Sequence, residues 1–433
     1  MLETIRNAWK IPELRKKLLM TAFIILIFRL GNNIPVPGVN TTLLSAYFTS
    51  ASTTILGLMN VMSGGAFGRA TMLALGIQPY INSSIIIQLL TIAIPALERM
   101  AKDGGEDGKR KIAAITRYAT VAIGLLQAFG YYMLCRNQSF LNDNSIWTAI
   151  VIILVFTAGS AFTMWLGEQI TEFGIGNGIS IILFAGIISR VPNAVYYMYA
   201  CIRNYFGASN FSSYAKIHPV GVVAILIGML ALVVFVVFIT LAERRIPVQY
   251  AKRVVGRKMM GGNSSVIPMK VNMSGVLPII FAQTIASIPA TIAAFVPSMQ
   301  GGLFMKLFDT TSVFYCVLYF LLIIGFSYFY ATIQFNPVEV ANNIKKQGGF
   351  IPGFRPGRPT AEFISKVLNK ITMFGALYLS VIALLPIITG AIIGANYLAI
   401  GGTSVLIVVS VALETEKALE AQMMMRHYKG FLE

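Results

Sequence analysis

The chain is poor in charge. Asp, Glu, Lys and Arg make up 12% of its 433 residues against 56% hydrophobic, where a soluble domain is about a quarter charged. Histidine is nearly absent, with only His218 and His427. No HExxH, GxSxG or phosphate-binding Gly-Lys loop occurs, so the pairings that hydrolytic or nucleotide chemistry needs are missing. Three cysteines, Cys135, Cys201 and Cys316, form no CxxC pair and no disulfide framework, and read as apolar filler. Nothing here suggests an enzyme, a metal site or a cofactor.

What the chain has in excess is apolar runs. Crossing ~30 Å of hydrocarbon takes about 20 mostly apolar residues. Runs of that kind recur near 18–34, 74–96, 118–135, 146–166, 178–198, 219–241, 274–296, 312–334, 371–390 and 397–413. The first run follows a basic stretch and lacks a small-residue cleavage site, so it reads as a retained span. An even number of spans puts both termini on one side. The segments then assigned to the cytoplasm (1–17, 97–117, 167–177, 242–273, 335–370 and 414–433) hold 27 of the 34 Lys and Arg. This is the positive-inside asymmetry. It accounts for most of the +17 formal charge without a nucleic-acid partner. The seven other bases, Arg29, Arg69, Arg136, Arg190, Arg203, Lys216 and Lys306, fall on the outer side.

Five spans per half, 1–200 and 201–433, is an odd number, so related halves would be inverted. "GIQP" (Gly76 to Pro79) opens the second span and "GVLP" (Gly275 to Pro278) the seventh. Inverted halves place a pathway at their interface. Coupled transporters hold ionisable groups there, but no Asp, Glu or Lys lies in the middle of a span. The mid-membrane polar residues are neutral: Asn82, Ser83, Ser84, Gln88, Gln127, Gln283 and Thr284. They serve either as helix–helix contacts, worth ~0.6 kcal/mol each, or as the lining of a seam.

Two stretches fit neither span nor simple connection. Residues 55–70 could make at most ~24 Å of helix, too short to cross, and contain Gly57, Gly64, Gly65 and Gly68. Such backbone is tolerated at membrane depth only when it is buried in protein or faces a cavity. Loops 242–273 and 335–370 are longer than a helix connection requires. In the second, Arg355 stands between "IPG" and "RPG", a stiff basic tip suited to a large partner with an acidic or phosphate-rich surface. The remaining bases suit anionic lipid.

Five stretches, "TMLALGIQPYINSSIIIQLL" (71–90), "ITEFGIGNGISIILFAGI" (170–187), "KVNMSGVLPIIFAQ" (270–283), "GGFIPGFRPGRPTAEF" (348–363) and "GGTSVLIVV" (401–409), resemble in order the hallmark stretches of the SecY family, the channel subunits of bacterial protein translocons. The resemblance implies an all-α polytopic membrane protein of ten transmembrane helices, in two inverted five-helix halves around a central pore with a re-entrant plug helix. It implies a passive channel that passes unfolded secretory polypeptides across the bacterial cell membrane and releases membrane segments through a lateral gate between spans two and seven. Carried over by motif register, the pore ring is Ile81, Ile85, Leu183, Ile187, Ile280 and Ile407. The plug includes Asn60, Ser63, Gly64, Gly65, Phe67, Gly68 and Arg69, and Gln88, Gln127 and Gln283 are candidates for a breakable polar contact at the gate. Arg253, Arg257 and Arg355 would dock the SecA motor or the ribosome. SecE-like and SecG-like small membrane subunits, signal peptides and unfolded chains complete the implied partners. The alternative is a 5+5 inverted-repeat solute transporter, which would carry an ionisable group at mid-membrane and short loops.

Overall fold

A computed structural model describes residues 2–50, 60, 63–205, 218–250, 253–255, 258–260, 264–273, 275–295, 307–309, 312–393 and 402–429. Its helices, in chain order, are α1 (Leu2–Lys10), α2 (Pro12–Gly31), α3 (Thr41–Ser50), α4 (Gln78–Ala93), α5 (Pro95–Lys102), α6 (Gly105–Asn137), α7 (Ile146–Phe173), α8 (Gly178–Ile188), α9 (Val191–Tyr205), α10 (Pro219–Leu241), α11 (Leu277–Phe295), α12 (Val313–Gln334), α13 (Pro337–Lys346), α14 (Arg358–Ile393) and α15 (Gly402–Lys429). A helix stands at every expected span, although the start of the last one lies outside the described residues. By length and apolarity alone, six helices among the described residues qualify as membrane-crossing, or seven if a bent pair is one span. That pair is α4 and α5, bent by 105°. Pro95 is the cause: it holds Ile94 extended, at φ −107° and ψ 112°, and so ends α4.

The helices pack in two groups. α4 lies on α6, α6 on α7 and α7 on α8 in the first; α11 lies on α12, α12 on α14 and α14 on α15 in the second. The groups meet along two seams, α11 against α4 and α6 on one side and α15 against α8 on the other. α4 and α11 begin alike. Gly76 and Gly275 both have positive φ, 54° and 63°, a conformation that costs glycine little and other residues more. Each stands three residues before the proline in the first turn of its helix.

The two long loops, 242–273 and 335–370, add strands to the helical fold. Strand β1 (Glu243–Tyr250) pairs antiparallel with β4 (Ser264–Lys270) and, at its far end, with β5 (Gly349–Phe350). The sheet order is β4-β1-β5, and a separate short hairpin joins β2 (Arg253–Val255) to β3 (Lys258–Met260). Alternation sends Ile246 and Val248 inward. There they meet Met269, Ile344, Ile351, Ile364 and Leu368 in a small core of their own. Both loops and the ends of α13 and α14 are therefore one folded body. The main core is separate and continuous through both helix groups.

Candidate functional site

Four of the five helices that meet at the two seams, α4, α8, α11 and α15, carry the six aliphatics of the expected ring. Ile81 and Ile85 on α4, Leu183 and Ile187 on α8, Ile280 on α11 and Ile407 on α15 are each 7% exposed or less. All six belong to the one main apolar cluster. Spacing of i, i+4 puts Ile81 with Ile85, and Leu183 with Ile187, on a single helix face. Branched aliphatics packed in this way present no hydrogen-bonding group. All six are packed inside the main core.

The described part of the expected plug, Asn60 and residues 63–70, is a chain of turns around one 3-10 turn, Phe67–Arg69. Residues 51–59, 61 and 62, where the expected plug helix begins, lie outside the described residues. Two side chains stand in for a regular ladder. Asn60 Oδ1 accepts from the Gly68 amide at 2.8 Å, and Ser63 Oγ accepts from the Phe67 amide at 3.0 Å. The segment is buried, with Phe67 at 2% exposure, so it does not lie on the surface. Phe67 sits edge-to-face against Phe48 of α3 and Tyr131 of α6, at 5.4 and 4.7 Å between ring centroids. The Tyr131 hydroxyl donates to the Phe67 carbonyl at 2.6 Å. Gly64 has φ +69° and faces α8 so closely that a Cβ there would stand 2.8 Å from the Gly186 carbonyl oxygen and 2.7 Å from Ser189 Oγ. The segment is therefore anchored to α6 and pressed against the end of α8.

Of the three glutamines expected at the seam, Gln88 has a hydrogen-bond partner on a neighbouring helix. Gln88 is joined to Tyr330 of α12, whose hydroxyl donates to Gln88 Oε1 at 2.7 Å. Tyr330 also packs on Phe281 of α11, 4.9 Å between ring centroids. Gln127 Oε1 is buried with no hydrogen-bond partner, as is Asn82 Oδ1, and Gln283 is 8% exposed. Tyr330 was not legible as a seam residue, because an aromatic in an apolar span reads as packing.

At the tip of loop 335–370 Arg355 is exposed, between Gly353 and Gly357, which have φ of 87° and 106°. The Thr360 hydroxyl donates to the Arg355 carbonyl at 2.8 Å, and Phe354 stacks on Phe363 at 4.1 Å. These contacts hold the tip rigid. Arg257 and the Arg253 side chain lie outside the described residues.

A family model described as SecY matches residues 71–416. The chain belongs to the SecY family. It is similar to the protein translocase subunit SecY of Streptomyces coelicolor, with 46% identity over 448 residues covering 100% of both chains. Among solved structures it is similar to a SecY whose plug domain is described as stabilising the closed state of the translocation channel and maintaining a membrane seal. That match has 18% identity, a TM-score of 0.63 and 97% of each chain covered. It is also similar to Sec61 in a canine ribosome-channel complex from the endoplasmic reticulum, at 16% identity and a TM-score of 0.64 over 97% of each chain. The family fold is the one seen here, and these relatives leave the solute-transporter alternative without support.

Proposed function

We propose that the chain is the pore-forming subunit of a protein-conducting channel, held closed in this structure. The observation that supports this most is where the six aliphatics of the expected ring lie: all are buried in the main core, on α4, α8, α11 and α15, helices through which the two groups touch. Such a constriction excludes ions by dewetting, and without fixed hydrogen-bonding groups it favours no polypeptide sequence. Residues 63–70 act as the plug. The α4–α11 seam, with Tyr330 across it, acts as the lateral gate. Residues 1–200 and 201–433 form inverted halves, a reading supported by the matching left-handed glycines Gly76 and Gly275.

In this reading both termini and the β4-β1-β5 body face the cytoplasm of a bacterial cell, where Arg355 docks the SecA motor or the ribosome. The solved Sec61 relative is itself described in a ribosome complex. SecE-like and SecG-like subunits, signal peptides, unfolded chains and anionic lipids complete the partner set. Any ATP chemistry belongs to the motor, and this chain acts as a conduit, not an enzyme. The test is disulfide crosslinking with Cys135, Cys201 and Cys316 removed. One cysteine is placed in a stalled secretory substrate and one at Ile81, Ile187, Ile280 or Ile407 in turn. Crosslinks at all four positions are expected. None at any, with the substrate engaged, returns these residues to ordinary core packing.

A further inference from the structure

Three arginines scattered through the sequence meet around the plug. Arg29 lies in the last turn of α2, Arg190 just past the end of α8, and Arg69 on the plug segment. A Cβ on Gly64 would stand 3.3 Å from Arg29 Nη1 and 2.7 Å from Ser189, the neighbour of Arg190. A Cβ on the next residue, Gly65, would stand 3.3 Å from Arg69 Nη2. Among the described residues no carboxylate pairs with any of the three. Arg69 has only a long contact, 3.5 Å, to Asn33 Oδ1.

Two of these guanidiniums are unsatisfied. The Nη1 atoms of Arg29 and Arg190 are buried and have no hydrogen-bond partner. Neither polar side-chain atom of Asn32, 4% exposed and one turn beyond Arg29, has a partner either. Buried donors without acceptors are costly, and three like charges in one place add repulsion. Both costs vanish if an anion with several oxygens sits among them, since guanidinium binds phosphate through paired, charge-assisted hydrogen bonds.

We propose that Arg29, Arg69 and Arg190 form a binding site for one phosphate group at the outer mouth, between the 63–70 segment and the ends of α2 and α8. The phosphate is either free inorganic phosphate or the headgroup of a lipid. Its consequence rests on the plug reading: bound phosphate ties Arg69 to the channel wall and holds the plug in, and its loss leaves Arg69 repelled by Arg29 and Arg190.

The full chain, purified in its assembled membrane complex in a phosphate-free non-ionic detergent, tests this in two independent ways. Binding is read from the broadening of the phosphorus NMR line of inorganic phosphate, and in a second arm of phosphatidylglycerol. Plug position is read from the maleimide labelling rate of Cys135, which is fully buried one turn along α6 from Tyr131, with Cys201 and Cys316 replaced by serine. Phosphate is expected to bind and to slow labelling by about tenfold or more, the effect of one charge-assisted contact. The Arg29→Gln/Arg190→Gln variant is expected to lose both effects. Arg190→Lys, which keeps the charge and the fold but not the fork, is expected to bind more weakly. Which arm responds identifies the source of the phosphate. No binding in either arm, or equal binding by the glutamine variant, overturns the site. Binding without any change in Cys135 labelling leaves the site standing and removes the plug reading of residues 63–70.

Discussion

The Tyr330 hydroxyl donates to Gln88 Oε1 at 2.7 Å and so ties α12 to α4 across the seam where α4 faces α11. The bond is partly buried, so neither partner is fully compensated by water when it breaks. It has to break if the seam opens between these helices. A latch of this kind sets how much binding energy a signal peptide must supply.

Tyr330→Phe keeps the ring on Phe281 and removes only the hydroxyl. The loss is about 0.5–1.5 kcal/mol in favour of the open seam, roughly two- to tenfold in its population. Export of a substrate with a weakened signal sequence should rise by that order, with normal substrates unaffected. Unchanged discrimination would show that the bond breaks outside the rate-limiting step.

Tyr131→Phe acts on the plug instead. It leaves the Phe67 carbonyl buried without its donor, at a cost of about 1–3 kcal/mol, while the edge-to-face stack remains. The resting ion leak of the reconstituted channel should rise, measured as conductance across a planar bilayer without substrate. A leak equal to wild type would place the anchor of the plug elsewhere.

Gly64→Ala tests the contact with α8. The new methyl would need a left-handed backbone, roughly 1–2 kcal/mol unfavourable, and would strike the Gly186 carbonyl oxygen at 2.8 Å. Both effects push the segment off the wall. The resting leak should exceed that of wild type, and a silent Gly64→Ala would mean that residues 63–70 do not close against α8.

Arg355→Glu reverses the charge at the loop tip without touching a span. Translocation driven by the motor should be abolished while the amount of channel in the membrane stays the same, read from transport assays and immunoblots of the same vesicles. Normal transport would show that docking uses other residues.

The helices were legible because each apolar run is long and its flanks are charged. The proposed ring rests on motif register, since Ile81 or Ile407 by itself is indistinguishable from core packing. The sheet of the two long loops was not legible. "ERRIPVQY" (Glu243–Tyr250) carries charge and Pro247, and its partner Phe350 lies about a hundred residues away in another loop. Non-local pairing leaves no local periodicity to read. The arginines at 29, 69 and 190 were each legible as outer-side charges, but their meeting depends on the plug folding back between α2 and α8.

The β4-β1-β5 body makes the two long loops a single lever. Its hydrogen bonds run from β5, next to the Arg355 tip, across β1 to β4. Lys270, the last residue of β4, is seven residues from Leu277, where α11 begins, and the left-handed Gly275 stands between them as a swivel. A load taken at the tip therefore passes through the sheet to the short segment that leads into α11. In the proposed function, whatever grips Arg355 holds a handle on the α4–α11 seam as well as a place to sit.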